Sequence, residues 1–321
     1  MVGSSVSKIF LVNKKIAFIS LNVDSIGYAT NTYPMKDDPA FKIAIPRIEK
    51  ILDKYNAKMS AFVIGKDLQD DYNTDILKGL IERGHEIGNH SYSHYQNFAF
   101  LNDDVQAREI EETHNLIKKK LNYDSKGFIA PGWNSNSFTI KKLVDLNYSY
   151  DHSLAPSPLM FLAMVKMLLN YVFNRVSNKK VAHTYNIKDL FSRKDYARMF
   201  FGRQKPYPVR DSYFKSKDKK LWVIPLPTKY KLSYWLTLEH VFPKFLVNYI
   251  FNLVAKNSEQ FYLLIHPADF LDNSDFENLE ETPNLERINI DVDYKLKIFE
   301  NRLKQLISYG YEIKTFISQY E

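Results

Sequence analysis

The sequence predicts an α/β protein in which parallel strands form a closed or nearly closed barrel inside a layer of helices. Two observations carry this. Strand-like apolar runs alternate with helix-period segments along most of the chain. Several strand-like runs also end in a residue able to do chemistry, where a barrel-like α/β protein builds its active site. With 321 residues, 45% apolar and 15% aromatic, the chain can bury a sizeable core, in one large domain or two small ones.

The elements follow in order. Lys15 to Val23 is apolar and strand-like, and Asp24 ends it. Pro39 to Tyr55 carries Phe41, Ile45, Ile48, Ile51 and Leu52 at helical spacing. Met59 to Ile64 reads as a strand stopped by Gly65. Asp75 to Arg83 reads as a short helix, with Gly84 where a C-terminal cap belongs. His85 to His90 is the next strand. Asp103 to Leu121 has acids early and Lys118, Lys119 and Lys120 late, which suits a helix dipole. Phe128 to Ala130 (strand), Phe138 to Leu146 (helix) and Tyr148 to Asp151 (strand) continue the alternation.

Residues 154–220 break the rhythm and read as an insertion within a single domain spanning 1–321. The core pattern returns with Leu221 to Pro225 and with Phe261 to Ile265, a strand that His266 ends. Tyr294 to Tyr309 is an amphipathic helix closed by Gly310, and Tyr311 to Ile317 a last strand. One internal echo stands out: Leu168 to Val176 matches Leu246 to Val254 almost position for position. Asn248 and Asn252 give the second copy a narrow polar stripe, as Asn170 and Asn174 do the first. Helices so apolar must pack on several sides or lie in a membrane interface.

Cysteine is absent, which excludes disulfides and thiolate metal sites. Ile9 to Val12 is too short for a signal-peptide core, and no stretch reaches the length of a membrane span. The expectation is a cytoplasmic protein, with peripheral contact at the inner membrane face as the sharper version. The net charge of +7 is uneven. Arg175 to Lys220 holds 14 basic and 4 acidic residues. Such a block suits a phosphate-bearing or membrane-surface partner, or is a solvated surface. There is no nucleic-acid motif, so none is expected as partner.

The most specific signal is Gly88-Asn89-His90-Ser91-Tyr92-Ser93-His94. Neutral imidazole is the commonest ligand of zinc-like ions, and a four-residue step places both rings on one side if the chain turns helically after the strand. Alone the pair is weak, since the chain has eight histidines. Asp24 and His266, each at a strand end, strengthen it.

These residues resemble the polysaccharide deacetylase family, of the chitooligosaccharide deacetylase type. The His90-Ser91-x-x-His94 box matches its second motif, with His85 to Asn89 before it. Phe128 to Gly132 resembles the third motif, Tyr150 to Ser153 the region of the fourth, and Leu263 to Pro267 the fifth. The resemblance runs from about Lys15 to Asp151 and resumes from about Leu221. It implies a distorted (β/α) barrel and one divalent metal, zinc by preference, on Asp24, His90 and His94. It implies His266 as general acid, with Pro131, Trp133 and Asp151 beside the substrate. Trp133 also fits a place in the core, and Asp151 a turn cap. The implied activity is hydrolysis of an N-acetyl or N-formyl group from an amino sugar, free or lipid-linked, in cell-envelope or glycan assembly.

Two positions depart from the family. Asn22 and Val23 stand where its base carboxylate is found, and Ile129 where the arginine partner of that base is found. Losing both together is coherent, because a buried arginine without its carboxylate is an unpaired charge. Three outcomes stay open: His266 acts as base and acid, another carboxylate such as Asp151 or Asp269 reaches in, or the chain binds glycan or glycolipid without turnover.

Overall fold

The structure is a computed structural model, and it describes residues 14–30, 35, 37–159, 162, 165, 196–276 and 286–321. Its centre is one nine-stranded sheet. Strands β1 (Lys15–Val23), β2 (Met59–Val63), β3 (Glu86–Asn89), β4 (Gly127–Phe128) and β5 (Tyr150–Leu154) are laid side by side in chain order, all parallel. β6 (Tyr207–Val209) and β7 (Leu221–Pro225) continue past β5, with β7 parallel to β5 and β6 antiparallel at the rim. A two-stranded hairpin, β8 (Thr228–Lys229) with β9 (Leu232–Ser233), follows. β10 (Gln260–Ile265) returns to the free edge of β1, and β11 (Tyr311–Lys314) pairs with the start of β1.

The barrel is therefore curled but open. Among the described residues β10 pairs only with β1, and the other rim is β6. A cleft of about 430 Å³ marks the seam, lined by Trp222 and Ile224 on one side and by Phe261 and Tyr262 on the other. The sheet is the distorted barrel expected from the sequence, with β6, running antiparallel, on the outer edge of β7 at this seam.

Strand burial is near complete, as a parallel sheet covered on both faces requires: every residue of β2, β3 and β5 is buried. Gly88 in β3 has a packing reason, since a Cβ there would meet the Phe62 ring at 2.2 Å. At the end of the chain Phe316, fully buried, stacks on Phe18 at 4.3 Å and borders Phe62, Tyr150, His152 and Tyr262. The expected strand to Ile317 thus ends at Lys314. Residues after it turn inward, where Ile317 N–H donates to buried Glu86 (3.1 Å).

The helices fall close to their predicted spans. Asp103–Leu121 is capped by Asn102, and its C-cap Asn122 is left-handed (φ 50°). Asp71–Glu82 starts earlier than predicted because Asp70 caps it through Tyr72 N–H. Gly84 (φ 83°) and Gly310 (φ 85°) follow the ends of their helices in the left-handed region, as expected.

The first copy of the internal echo, Leu168 to Val176, lies outside the described residues. The second forms the helix Lys244–Asn257, which buries Val247, Ile250, Phe251 and Val254 against the core. The Asn stripe turns inward: Asn248 accepts from Arg302, and Tyr309 donates to Asn252. Arg302 is 5% exposed and also pairs with Glu239 (2.6 Å), so a buried guanidinium needs those acceptors. Of the segment read as an insertion, the part from Tyr196 onward adds a short helix, Tyr196–Phe201, and β6. Among the described residues no helix is long and apolar enough to cross a membrane.

Candidate active site

The C-terminal ends of β1, β3 and β10 bring four predicted positions into one neighbourhood. Asn22, next to last in β1, and His266, directly after β10, each stand one step past the last rung, Leu21 beside Ile265. Asp24 follows β1 and His90 follows β3.

The ligand atoms of Asp24, His90 and His94 all lie within 4.8 Å of one another. The two Nε2 atoms are 3.1 Å apart, and Asp24 Oδ1 is 3.4 Å from each. A tetrahedral ion with bonds of about 2.0–2.1 Å sets its ligand atoms about 3.3–3.4 Å apart, so this triangle fits a zinc-sized cation. Among the described residues Asp24 Oδ1 is also a buried oxygen without a hydrogen-bond partner, beside those two nitrogens.

The tautomer is set from behind. His90 Nδ1 lies 2.7 Å from the carbonyl of Ile129, to which it donates, so Nε2 carries the lone pair toward Asp24. Burial lowers the pKa of His94, favouring the neutral ring that ligates. For Asp24, burial opposes ionisation, but the adjacent His94 and His90 outweigh it and hold the carboxyl well below its usual range.

No helical turn joins the two histidines. Ser91 (φ 63°) and His94 (φ 56°) are both left-handed, and each such non-glycine residue costs on the order of 1 kcal/mol. The loop is held by side-chain acceptors. Asn89 Oδ1 takes the Ser91 N–H (2.9 Å), and Ser91 Oγ takes that of His94 (3.1 Å). Glu109 Oε2 takes those of Tyr92 (3.0 Å) and Ser93 (2.6 Å). Tyr28 donates to the His94 carbonyl (2.5 Å) and meets its ring edge-on. Asn89 lies inside the motif and was readable there. Glu109 comes from a helix that gave no local signal of this role.

His266 has its own support, which the sequence did not reveal. Its backbone N–H donates to Asp269 Oδ2 (2.9 Å), and its Nδ1 is 3.7 Å from that oxygen and 3.5 Å from Thr237 Oγ1. Arg287 donates to Asp269 Oδ1 (3.0 Å) and to Thr237 (3.1 Å). Burial alone raises the pKa of Asp269, but Arg287 and His266 drive it far below the usual carboxylate range. Lys295, fully buried, donates to the carbonyls of Ala268 (3.2 Å), Leu271 and Arg287 (2.7 Å), tying these loops together.

Asp151, expected at the substrate, is fully enclosed: Oδ1 accepts from Ser153 and Oδ2 from Tyr213 (2.8 Å). Burial pushes its pKa up to about 6. Pro131 is buried, and half-buried Trp133 packs against the core and meets Trp235 edge-on at 6.1 Å. Ile129 is fully buried in the main core cluster, an apolar wall in place of an arginine. Asn22 is 6% exposed, and its Oδ1 has no partner among the described residues.

The fold and this cluster define the class: a curled (β/α) barrel with a three-donor, cation-sized site at the C-terminal strand ends. Residues 35–150 match the family described as polysaccharide deacetylase. That segment, about a third of the chain, is similar to this family.

Relatives agree. A peptidoglycan deacetylase of Helicobacter pylori is 28% identical over 145 residues, 42% of this chain and 47% of that one. A peptidoglycan-N-acetylglucosamine deacetylase of Bacillus cereus is 38% identical over 85 residues, 26% of this chain and 30% of that one. The matched region thus spans less than half the length of either relative. A Mycobacterium smegmatis crystal structure carrying a provisional polysaccharide deacetylase description superposes with a TM-score of 0.58. It is 14% identical, over 99% of this chain and 92% of that one, and supports the fold.

Proposed function

We propose that this chain is a metal-dependent hydrolase that removes an N-acetyl or N-formyl group from an amino sugar, free or lipid-linked, in glycan or cell-envelope assembly. The observation that carries the reading is the Asp24–His90–His94 triangle, with edges of 3.1–3.4 Å. A divalent cation held there, zinc by size, supplies Lewis acidity to an amide carbonyl and lowers the pKa of a water. The reading treats 1–321 as one domain with 154–220 inserted.

The chain's own groups divide the remaining work. Ile129 O and Asn89 fix the ligand geometry from behind. Asn22 offers a hydrogen bond to a water but cannot accept its proton. Asp151 and Asp269 are fully buried with their oxygens engaged, so neither supplies the missing base. His266, with a side chain 15% exposed, is the remaining group that takes the proton and returns it to the leaving amine.

A second reading follows from Asn22 and Ile129: a catalytically impaired relative that binds glycan or glycolipid in the same cleft. One experiment separates them. Metal content and release of acetate or formate from N-acylated amino sugars, lipid-linked ones included, are measured on the same wild-type and His90→Ala samples. About one metal per chain, lost in the variant together with release, supports the hydrolase. Metal without release supports the binding protein, and no metal overturns both.

A further inference from the structure

The described end of the inserted segment exposes aromatic and basic side chains. Phe201 is 86% and Phe214 82% exposed, and Phe200 beside them 38%. Exposed phenylalanines are costly in water unless something covers them. Between Arg203 and Lys220 stand seven basic residues (Arg203, Lys205, Arg210, Lys215, Lys217, Lys219 and Lys220) against Asp211 and Asp218. All seven cations are exposed. Arg210 pairs with Asp218 at 3.2 Å, which leaves a strong positive excess.

Packing ties together the two segments that carry these phenylalanines. Arg198, one turn before Phe201, lies over the ring of Tyr213, next to Phe214, at 4.3 Å. Tyr213 donates to Asp151 and shares a hydrogen bond with Ser135, whose carbonyl accepts from Arg198. Ser135 lies two residues past the Pro131–Trp133 turn that follows β4, and Ile129, which orients His90, directly follows β4. Gly202, after the short helix, approaches Pro156 past the end of β5, while Arg210 to Lys220 join β6 to β7 at the Val209–Leu221 end.

We propose that Phe201 and Phe214, with the surrounding lysines and arginines, dock this face on an anionic lipid bilayer. Rings enter the headgroup boundary while long cations stay with the phosphates. Each basic residue near an anionic surface contributes favourably, and the effect fades within a Debye length as salt rises. Charge complementarity selects the bilayer over a neutral apolar partner. The inference rests on the proposed function and deepens it, bringing the chain to a surface where a lipid-linked sugar presents its head.

The test is co-sedimentation of the full chain with vesicles of phosphatidylcholine alone or mixed with phosphatidylglycerol, at low and high salt. Wild type is compared with Phe201→Ser/Phe214→Ser and with Lys215→Glu/Lys217→Glu. The expected result is binding to the anionic vesicles only, weakened by salt, and about tenfold or more weaker in both variants. Failure of wild type to bind at low salt overturns the proposal. So does binding that the Phe pair leaves unchanged, or equal capture by a soluble polyanion that displaces the vesicles. Acyl release from a soluble N-acylated amino sugar, assayed on the Phe201→Ser/Phe214→Ser chain, keeps the two readings apart. Equal release with lost vesicle binding supports docking, whereas no release in either chain counts against the hydrolase alone.

Discussion

His90 and His94 hold their Nε2 atoms 3.1 Å apart across a loop in which Ser91 and His94 are both left-handed. Two imidazole lone pairs facing each other beside a carboxylate oxygen repel unless a cation or proton lies between them. The backbone strain of the loop and the acceptors that restrain it, Asn89 and Glu109, are what keep the rings converged.

Metal removal should therefore register in stability. A ligand at about a thousand times its Kd stabilises a fold by about 4 kcal/mol. Calorimetry with and without a chelator should show a clear drop in wild-type Tm and almost none in Asp24→Asn, which loses the charged donor. A wild-type Tm indifferent to chelator removes the cation from the account.

Asn22→Asp restores a proton acceptor at the end of β1. If only the base is missing, acyl release should rise, by up to about 10²-fold. The steady-state rate on an N-acylated amino sugar checks this. An unchanged rate returns the proton transfer to His266.

Asp269→Asn should lower kcat by about tenfold or more at nearly constant KM, because Asp269 touches His266 and not the substrate. A rise in KM alone would place Asp269 at the substrate. The same variant probes acid stability. With its folded pKa depressed, Asp269 contributes stability above the unfolded carboxylate range near 4, lost as pH falls below it. Wild type should lose Tm toward low pH faster than the variant.

Asp151→Asn should show the opposite sign. Burial raises the folded pKa of Asp151 to about 6, so the folded chain binds the proton more tightly than the unfolded chain does. Its contribution is present below about pH 4 and lost as pH rises through about 6. Relative to wild type, the variant should gain Tm between about pH 4 and about 6, measured by thermal denaturation. A constant difference across that range would mean that Tyr213 and Ser153 offset the burial fully.

Much of the fold was legible because burial on both faces writes each strand as an apolar run. Lys15 to Val23 and Leu221 to Pro225 fell as predicted, and Asp103 to Leu121 was bounded by its caps and charge order. Local chemistry likewise placed Asp24, His90, His94 and His266 at strand ends, and the family resemblance marked Asn22 and Ile129 as departures. Tertiary structure decided the rest. The open seam depends on which edge β6 pairs with, and a hydrogen-bonded edge leaves no mark in composition. The turned Asn248–Asn252 stripe depends on Arg302, more than 50 residues away in sequence. Glu109 behind the histidine loop, and Asp269 with Arg287 behind His266, act through contacts that exist only once the barrel has curled. Short-range pattern determined the strands and the ligands they carry; long-range packing determined what holds those ligands in place.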